Sequence, residues 1–418
     1  MHNCLSFTPT IQTSLHSKNN INKWNEAIDS FEKQEYRKSF YAVFDYLDEN
    51  ILQHYANADK TEIVIPQGSA VVIIQVTDSE IKIKAPFVQL PADKQLPILR
   101  KCTEINFSSM ALPQIFLENN LLTISYTMAA ELCEPYKLYD VLRDIAINAD
   151  KYDDEFVTKF GAIRIMEPQV TDYQPKEFAN IVATSKSIAS EALEYATYFE
   201  GKRDLVLAGD ALFIGINRLK YYGSPTGMIS NKFSEAISNF YNRGNDMNTK
   251  IKIMRAALEA VKNISDEDAK ATFYITYQLI PIKGNASRSY LKDWIEAQYN
   301  DAESMFNKEN YATATSYSLY TLYIILSDFN IDINSQQAIE YCLKSAAGKP
   351  WNEAAAILMK AMRFFYLNEE ETIEMEQEEE VIESVDASTA DNYMENINSM
   401  MSQYKSMIGN FMQSFTKN

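Results

Sequence analysis

Residues 62–90 carry three β-branched runs in close succession: Ile63-Val64-Ile65, the stretch from Val71 to Val76, and Ile81 and Ile83 alternating with Lys82 and Lys84. Each run reads as a strand. Gln67-Gly68 and Asp78-Ser79 supply turn chemistry between them. Connections that short join antiparallel neighbours, so the expectation is a three-strand meander with one apolar face. Such a face has to be covered, which constrains what the flanking sequence must be.

The flanks meet that requirement. Upstream, Ile21, Trp24, Ile28 and Phe31 fall at helical spacing, and after Glu32-Lys33-Gln34 a second set follows at Tyr36, Phe40, Phe44, Leu47 and Ile51. Downstream, Leu96, Leu99, Cys102 and Ile105 predict a helix over 93–107, with Pro97 in its first turn. Two further strand-like runs, 112–117 and 121–128, flank Asn119-Asn120, whose side chains tolerate the positive φ of a tight hairpin. Pro135 then opens a helix through Leu138, Val141, Leu142, Ile145, Ala149 and Tyr152 to about Phe160, and Gly161 is placed to end it.

The order helix, three strands, helix, two strands, helix, together with the stretch Ala111-Leu112-Pro113-Gln114-Ile115-Phe116-Leu117-Glu118-Asn119-Asn120-Leu121-Leu122-Thr123-Ile124, resembles the YbjN and type III secretion chaperone-like proteins. The resemblance covers little more than a third of the chain. It implies binding of polypeptide segments and no catalysis; chaperones of this fold typically pair as dimers and hold an extended partner segment.

Beyond a linker over 166–175, residues 176–368 read as helix almost throughout. Punctuation comes from Gly201, the Gly223-Ser224-Pro225-Thr226-Gly227 loop, Gly244, residues 281–284 and Gly348-Lys349-Pro350. Ser265 followed by Asp268 marks a capped helix start. Ala27-x3-Phe31-x-Lys33-x2-Tyr36 recurs as Ala302-x3-Phe306-x-Lys308-x2-Tyr311. This resembles the helix-turn-helix of tetratricopeptide-type repeats, but no fixed period accompanies it, so an irregular bundle or degenerate array is expected. Residues 369–386 hold ten acids and no base, which predicts an extended acidic connector within 369–390. In 391–418, Met394, Ile397, Met401, Tyr404, Ile408, Phe411 and Phe415 step through alternating intervals of three and four. That pattern puts them on one face of an amphipathic helix, the candidate partner-binding face. It has three competing uses: docking on the chain itself, self-association, and capture of another protein or a membrane surface, the last disfavoured by few lysines and much upstream acid.

Composition excludes several functions. A formal net charge of -18 repels phosphate backbones, so nucleic acid is not an expected partner. Residues 1–20 are polar and read as a flexible leader without the apolar core of a secretory signal. No apolar run approaches the roughly 20 residues that a membrane span takes. Cys4, Cys102, Cys133 and Cys342 lie far apart, without metal-type spacing, and fit a reducing, cytoplasmic setting.

Three histidines, His2, His16 and His54, leave little for acid-base or nucleophilic catalysis, and no phosphate cradle, nucleophile elbow or CxxC is present. Weaker candidates have plainer readings. Asp150, Asp153, Asp154 and Glu155 could hold a divalent cation or form a solvated helix face. Cys102 and Cys133 are redox groups or buried small hydrophobes. Tyr311, Tyr317, Tyr320, Tyr323 and Phe329 line a peptide groove or pack a core. His54 caps a helix end or is simply exposed, and the Gly223 to Gly227 loop offers backbone amides to an anion or is a turn between helices.

The sequence therefore predicts an α+β domain over 21–165 (helix, three-strand meander, helix, β-hairpin, helix) followed by an all-α bundle or degenerate repeat region over 176–368. The expected function is that of a non-catalytic adaptor or chaperone-like protein whose partners are other proteins, with a homodimer possible. No catalytic, cofactor or metal residues are assigned. A scaffold subunit of a larger assembly is the alternative, and an enzyme or small-ligand sensor using the helical region is the competing class.

Overall fold

A computed structural model of the chain describes residues 3–11, 20–68, 70–93, 95–108, 110–165, 172–275, 279–280, 283–286 and 288–367. Of these, 20–165 and 279–280 form one compact unit, and 3–11, 172–275 and 283–367 form another.

The first unit is α+β. Its elements are α1 (Ile21–Glu32), α2 (Tyr36–Leu47), α3 (Ile51–Tyr55), β1 (Glu62–Gln67), β2 (Ala70–Val76), β3 (Glu80–Gln89), α4 (Gln95–Ser108), β4 (Gln114–Glu118), β5 (Leu121–Ala129), α5 (Pro135–Phe160) and β6 (Ile163–Arg164). The strands pair antiparallel in the order β1-β2-β3-β5-β4, with β6 added to the end of β3. Asn119 and Asn120 hold φ of 50° and 67°, the mirror-image turn that suits the strand twist of a two-residue hairpin. Helix α5 starts at Pro135 and stops at Gly161, whose left-handed φ of 69° lets the next N–H, that of Ala162, return to the Phe156 carbonyl at 3.1 Å. Alternation places Ile63, Ile65, Val72, Ile74, Ile81 and Ile83 on one sheet face, where they share a core with Leu138, Leu142, Ile145 and Phe156 of α5. Register slips between Pro86 and Val88, and this bulge lets both Phe87 and Val88 join that core.

The second unit is helical: α6 (Pro175–Gly201), α7 (Leu205–Gly223), α8 (Gly227–Tyr241), α9 (Met247–Lys262), α10 (Asp266–Lys270), α11 (Arg288–Asn307), α12 (Tyr311–Asp328), α13 (Ile333–Ala346) and α14 (Trp351–Tyr366). Two-residue strands, β7 (Gly284–Asn285) and β8 (Phe329–Asn330), pair parallel within it. The tyrosine stripe belongs to its core, with Tyr323 buried and Tyr317, Tyr320 and Phe329 packed against the buried cluster.

The repeated Ala-x3-Phe-x-Lys-x2-Tyr pattern marks a real turn, and among the described residues that turn is found at three places. Gln34 and Glu309 take left-handed φ of 63° and 58° between α1 and α2 and between α11 and α12, and Arg203 does the same at 61° between α6 and α7. The N–H of each returns to a carbonyl three residues back, and the next N–H returns five back, as in Asp204 to Phe199 at 2.9 Å. Ala27, Ala196 and Ala302, seven residues before each left-handed position, are all fully buried. The third copy escapes the sequence pattern because Glu200 and Leu205 stand where the others have Phe and Tyr.

Two expectations need correction. Residues 3–11 are not a flexible leader; they lie in the helical unit. Cys4 and Leu5 are buried, the Cys4 N–H donates to the Lys349 carbonyl at 2.7 Å, and the Gly348 N–H donates to the Cys4 carbonyl at 3.2 Å. The segment is polar in composition, but its polar atoms find partners: Ser6 donates twice to the Glu191 carboxylate, and the Tyr195 hydroxyl donates to the Asn3 carbonyl at 2.7 Å. Nor is 176–368 one uninterrupted helical domain. Leu279 and Ile280 leave it and enter the core of the α+β unit.

Helices α6 and α7 approach closely at Gly215, where an added Cβ would collide with the Ala192 Cβ and stand 3.4 Å from Leu258. Gly215→Ala is expected to lower stability by about 1–3 kcal/mol through overpacking, despite the better helix propensity of alanine. Chemical denaturation followed by far-UV circular dichroism measures it, and a stabilised variant would contradict the close approach.

Candidate functional site

The thiols are withdrawn from chemistry by burial. All four cysteines are unbridged and buried, and burial pushes the Cys4 and Cys133 thiols up to about 12 and those of Cys102 and Cys342 up to about 11. Thiols in that state are poor nucleophiles and poor metal ligands. His54 is exposed in the last turn of α3. Among the described residues no cluster of His, Cys, Asp and Glu is arranged to hold a metal ion. Asp153 is not part of a solvated face: it is buried, 3.7 Å from the Arg164 guanidinium of β6. Glu155 pairs with Lys159 one turn on, at 3.1 Å. The side chains of Asp150 and Asp154 fall outside the described set. The Gly223 to Gly227 loop turns between helices, with the Thr226 hydroxyl donating to the Thr272 carbonyl at 2.9 Å.

Besides its thiols and tyrosines, the helical unit holds a buried aspartate and a buried lysine that are strongly perturbed. Burial drives the Asp210 carboxyl up to about 7, opposed by the Ser316 hydroxyl that donates to it at 3.2 Å. Burial drives the Lys283 ammonium down to about 8 while it donates to the Leu326 carbonyl at 2.7 Å. Their charged neighbours differ: Asp204 acts on Asp210, whereas Asp328, Lys220 and Glu340 act on Lys283. They do not form an acid-base pair. Between its ordinary value of 3.8 and about 7 the folded chain retains a proton on Asp210 that the unfolded chain has lost. Stability from this group therefore declines as pH rises through that window and is flat above it. Asp210→Asn is expected to remove that slope and raise stability at pH 8, read from urea midpoints across pH 4–8.

What the α+β unit offers instead is surface and main-chain recognition. The β4 edge is lined by exposed apolar side chains, Leu112, Phe116 and Leu117, with Phe107 of α4 89% exposed. The edge is blunted from within: Asn106 accepts from the Ile115 N–H at 2.7 Å and donates to its carbonyl at 3.1 Å, capping the outward groups of that residue.

A second carboxamide does the same for a residue far away in sequence. Gln67, at the core-facing end of β1, is 1% exposed. It donates to the Ile280 carbonyl at 2.8 Å and accepts from the Ile280 N–H at 3.0 Å, across 213 residues. The Leu279 and Ile280 side chains are buried in the same core as Ile63, Ile65 and Val72. A buried carboxamide left unpaired costs roughly 1–3 kcal/mol, and here the Ile280 main chain supplies both partners. The core of this unit thus contains two residues, Leu279 and Ile280, that do not belong to its own continuous sequence.

Residues 42–168 match the family model TY-Chap1. The model describes T3SS (YopN, CesT) and YbjN peptide-binding chaperone 1. The TY-Chap1 match runs from the second half of α2 through β6, hence over the whole sheet and Gln67, and covers under a third of the 418 residues. It bears out the YbjN-like resemblance of the N-terminal domain and supports a non-catalytic role in binding polypeptide. No curated protein matches the chain. No helix among the described residues is long and apolar enough to cross a membrane.

Sequence reasoning missed Gln67 because Gln-Gly before a β-branched run has the form of a turn. Its one available signal was period: Ile63, Ile65 and Gln67 alternate on one face, and a polar residue at the third position asks for a partner. The candidate face of Met394, Ile397, Met401, Tyr404, Ile408, Phe411 and Phe415, and the acidic connector before it, lie outside the described residues.

Proposed function

We propose that this chain is a non-catalytic adaptor of the chaperone kind, whose α+β domain holds a segment of another polypeptide. Aliphatic side chains of that segment are buried against the sheet, and its main chain is paired by side-chain amides of the domain. The observation that carries the reading is the Gln67 pair with Ile280, a peptide stretch already seated in the domain from 213 residues away. The TY-Chap1 match over the same residues supports it, and four unbridged thiols fit work in a reducing, cytoplasmic compartment.

The test is photo-cross-linking of the full chain with a peptide library rich in paired aliphatic residues, followed by mapping of the adducts. Adducts within 42–168 are expected. Absence of binding, or adducts confined to 172–367, would refute the reading.

A scaffold role would rest on the seven-residue repeat from Met394 to Phe415. Removing 392–418 should then reduce the sedimenting mass by more than the residues removed. A purely proportional change would take the tail out of the account.

A further inference from the structure

The Gln67 corner has the attributes of a ligand site, and its occupant comes from this same chain. A carboxamide presents one donor and one acceptor side by side, matching the C=O and N–H of a single residue. It reads main chain and is indifferent to side chain, provided that the residue has an N–H, which excludes proline. Selectivity comes from the surroundings, where the Leu279 and Ile280 side chains are buried among β-branched residues. The chemistry selected is therefore two adjacent branched aliphatic residues, the second not proline.

Asn106 shows what a permanent version of this contact looks like. Its client, Ile115, is nine residues away and held between α4 and β4 of the same domain. The client of Gln67 is a short excursion between α10 and β7 of the helical unit. Among the described residues the hydrogen bonds to Leu279 and Ile280 come from Gln67 alone. Leu279 and Ile280, held by the Gln67 carboxamide and by their burial and joined to the chain on both sides, make an intramolecular competitor, present at an effective concentration on the order of millimolar.

We infer that Leu279-Ile280 is a built-in occupant of the peptide site of the α+β domain, and that partner peptides with paired branched aliphatic residues bind by displacing it from Gln67. The inference rests on the peptide-holding reading above and adds the location of the site, the ligand chemistry and an autoinhibitory contact. Affinity for a partner is then reduced by the fraction of molecules in which the corner is open.

The probe is a fluorescein-labelled peptide with the sequence of residues 274–284, added to the full chain. In the unaltered protein, saturating probe should speed hydrogen exchange at the Ile280 amide while the β1 and β2 amides stay protected. This measurement needs no substitution in the core. In the double variant Leu279→Ser, Ile280→Ser, with β1 and β2 protection retained, anisotropy should show binding at least about tenfold tighter than to the unaltered chain. Adding Gln67→Ala should abolish that gain. If the probe saturates the unaltered chain with Ile280 protection unchanged, or binds both chains equally, the inference fails while the peptide-holding reading stands. If neither the probe nor the cross-linking library binds any form, the reading fails and the inference with it.

Discussion

Arg218→Met lowers the stability of the helical unit by about 3–5 kcal/mol, the cost of breaking a buried ion pair from one side. Arg218 is 2% exposed, and its guanidinium lies 2.7 Å from the Glu191 carboxylate, itself 24% exposed. It also donates to the Ser6 carbonyl at 2.6 Å and to the Ser6 hydroxyl at 2.9 Å. Burial alone would raise the Glu191 carboxyl; Arg218 and the Ser6 hydrogen bonds outweigh it and hold it below the ordinary 4.5. Because the folded value is depressed, this contribution is present above the usual carboxylate range and is lost as pH falls through the folded value. Methionine keeps much of the volume and removes the charge, leaving a partly buried carboxylate with Ser6 alone. Urea denaturation at pH 7 measures the loss, and amide exchange along α6 and α7 localises it. Limited proteolysis should in addition cut the variant within 3–11, where the parent resists. An unchanged midpoint would mean that the pair is held no better than a surface ion pair.

Phe156→Ala should cost the α+β unit a similar amount, about 3–5 kcal/mol, by a different route. Phe156 is fully buried on α5, with ring centroids 5.7 Å from Phe87, 6.1 Å from Tyr152 and 5.8 Å from Phe160. Phe87 reaches it only because the β3 bulge turns two consecutive residues inward. Neighbours fixed by a sheet irregularity and by their own helix cannot collapse into the space a ring vacates, so the cavity term adds to the lost transfer energy. Phe116→Ala, on the exposed β4 edge, is the control and should change stability by less than about 0.5 kcal/mol. Equal effects of the two substitutions would place Phe156 outside the core.

Local chemistry was legible and long-range chemistry was not. Pro135 and Gly161 bound α5 because a fixed φ and a left-handed φ are properties of single residues, and Asn119-Asn120 announced its hairpin for the same reason. The bulge in β3 left no mark, since Ala85 to Val88 is apolar whichever way its side chains point. Residues 3–11 read as a leader because the carboxylate that satisfies Ser6 lies 185 positions downstream. The pattern found at Ala27 and Ala302 would have yielded Ala196 had it been reduced to alanine, lysine six residues later and a left-handed residue after that. The aromatic positions are replaceable packing, whereas the backbone turn is shared by all three copies.

The interleaving of the two units has a consequence for synthesis on the ribosome. At about 5–20 residues per second, the 213 positions between Gln67 and Ile280 take roughly 10–40 s to emerge. Throughout that interval the nascent sheet lacks its last two core residues. The isolated bridge between Asn3 and Pro350 likewise waits for its second partner, so neither unit finishes before most of the chain has been translated.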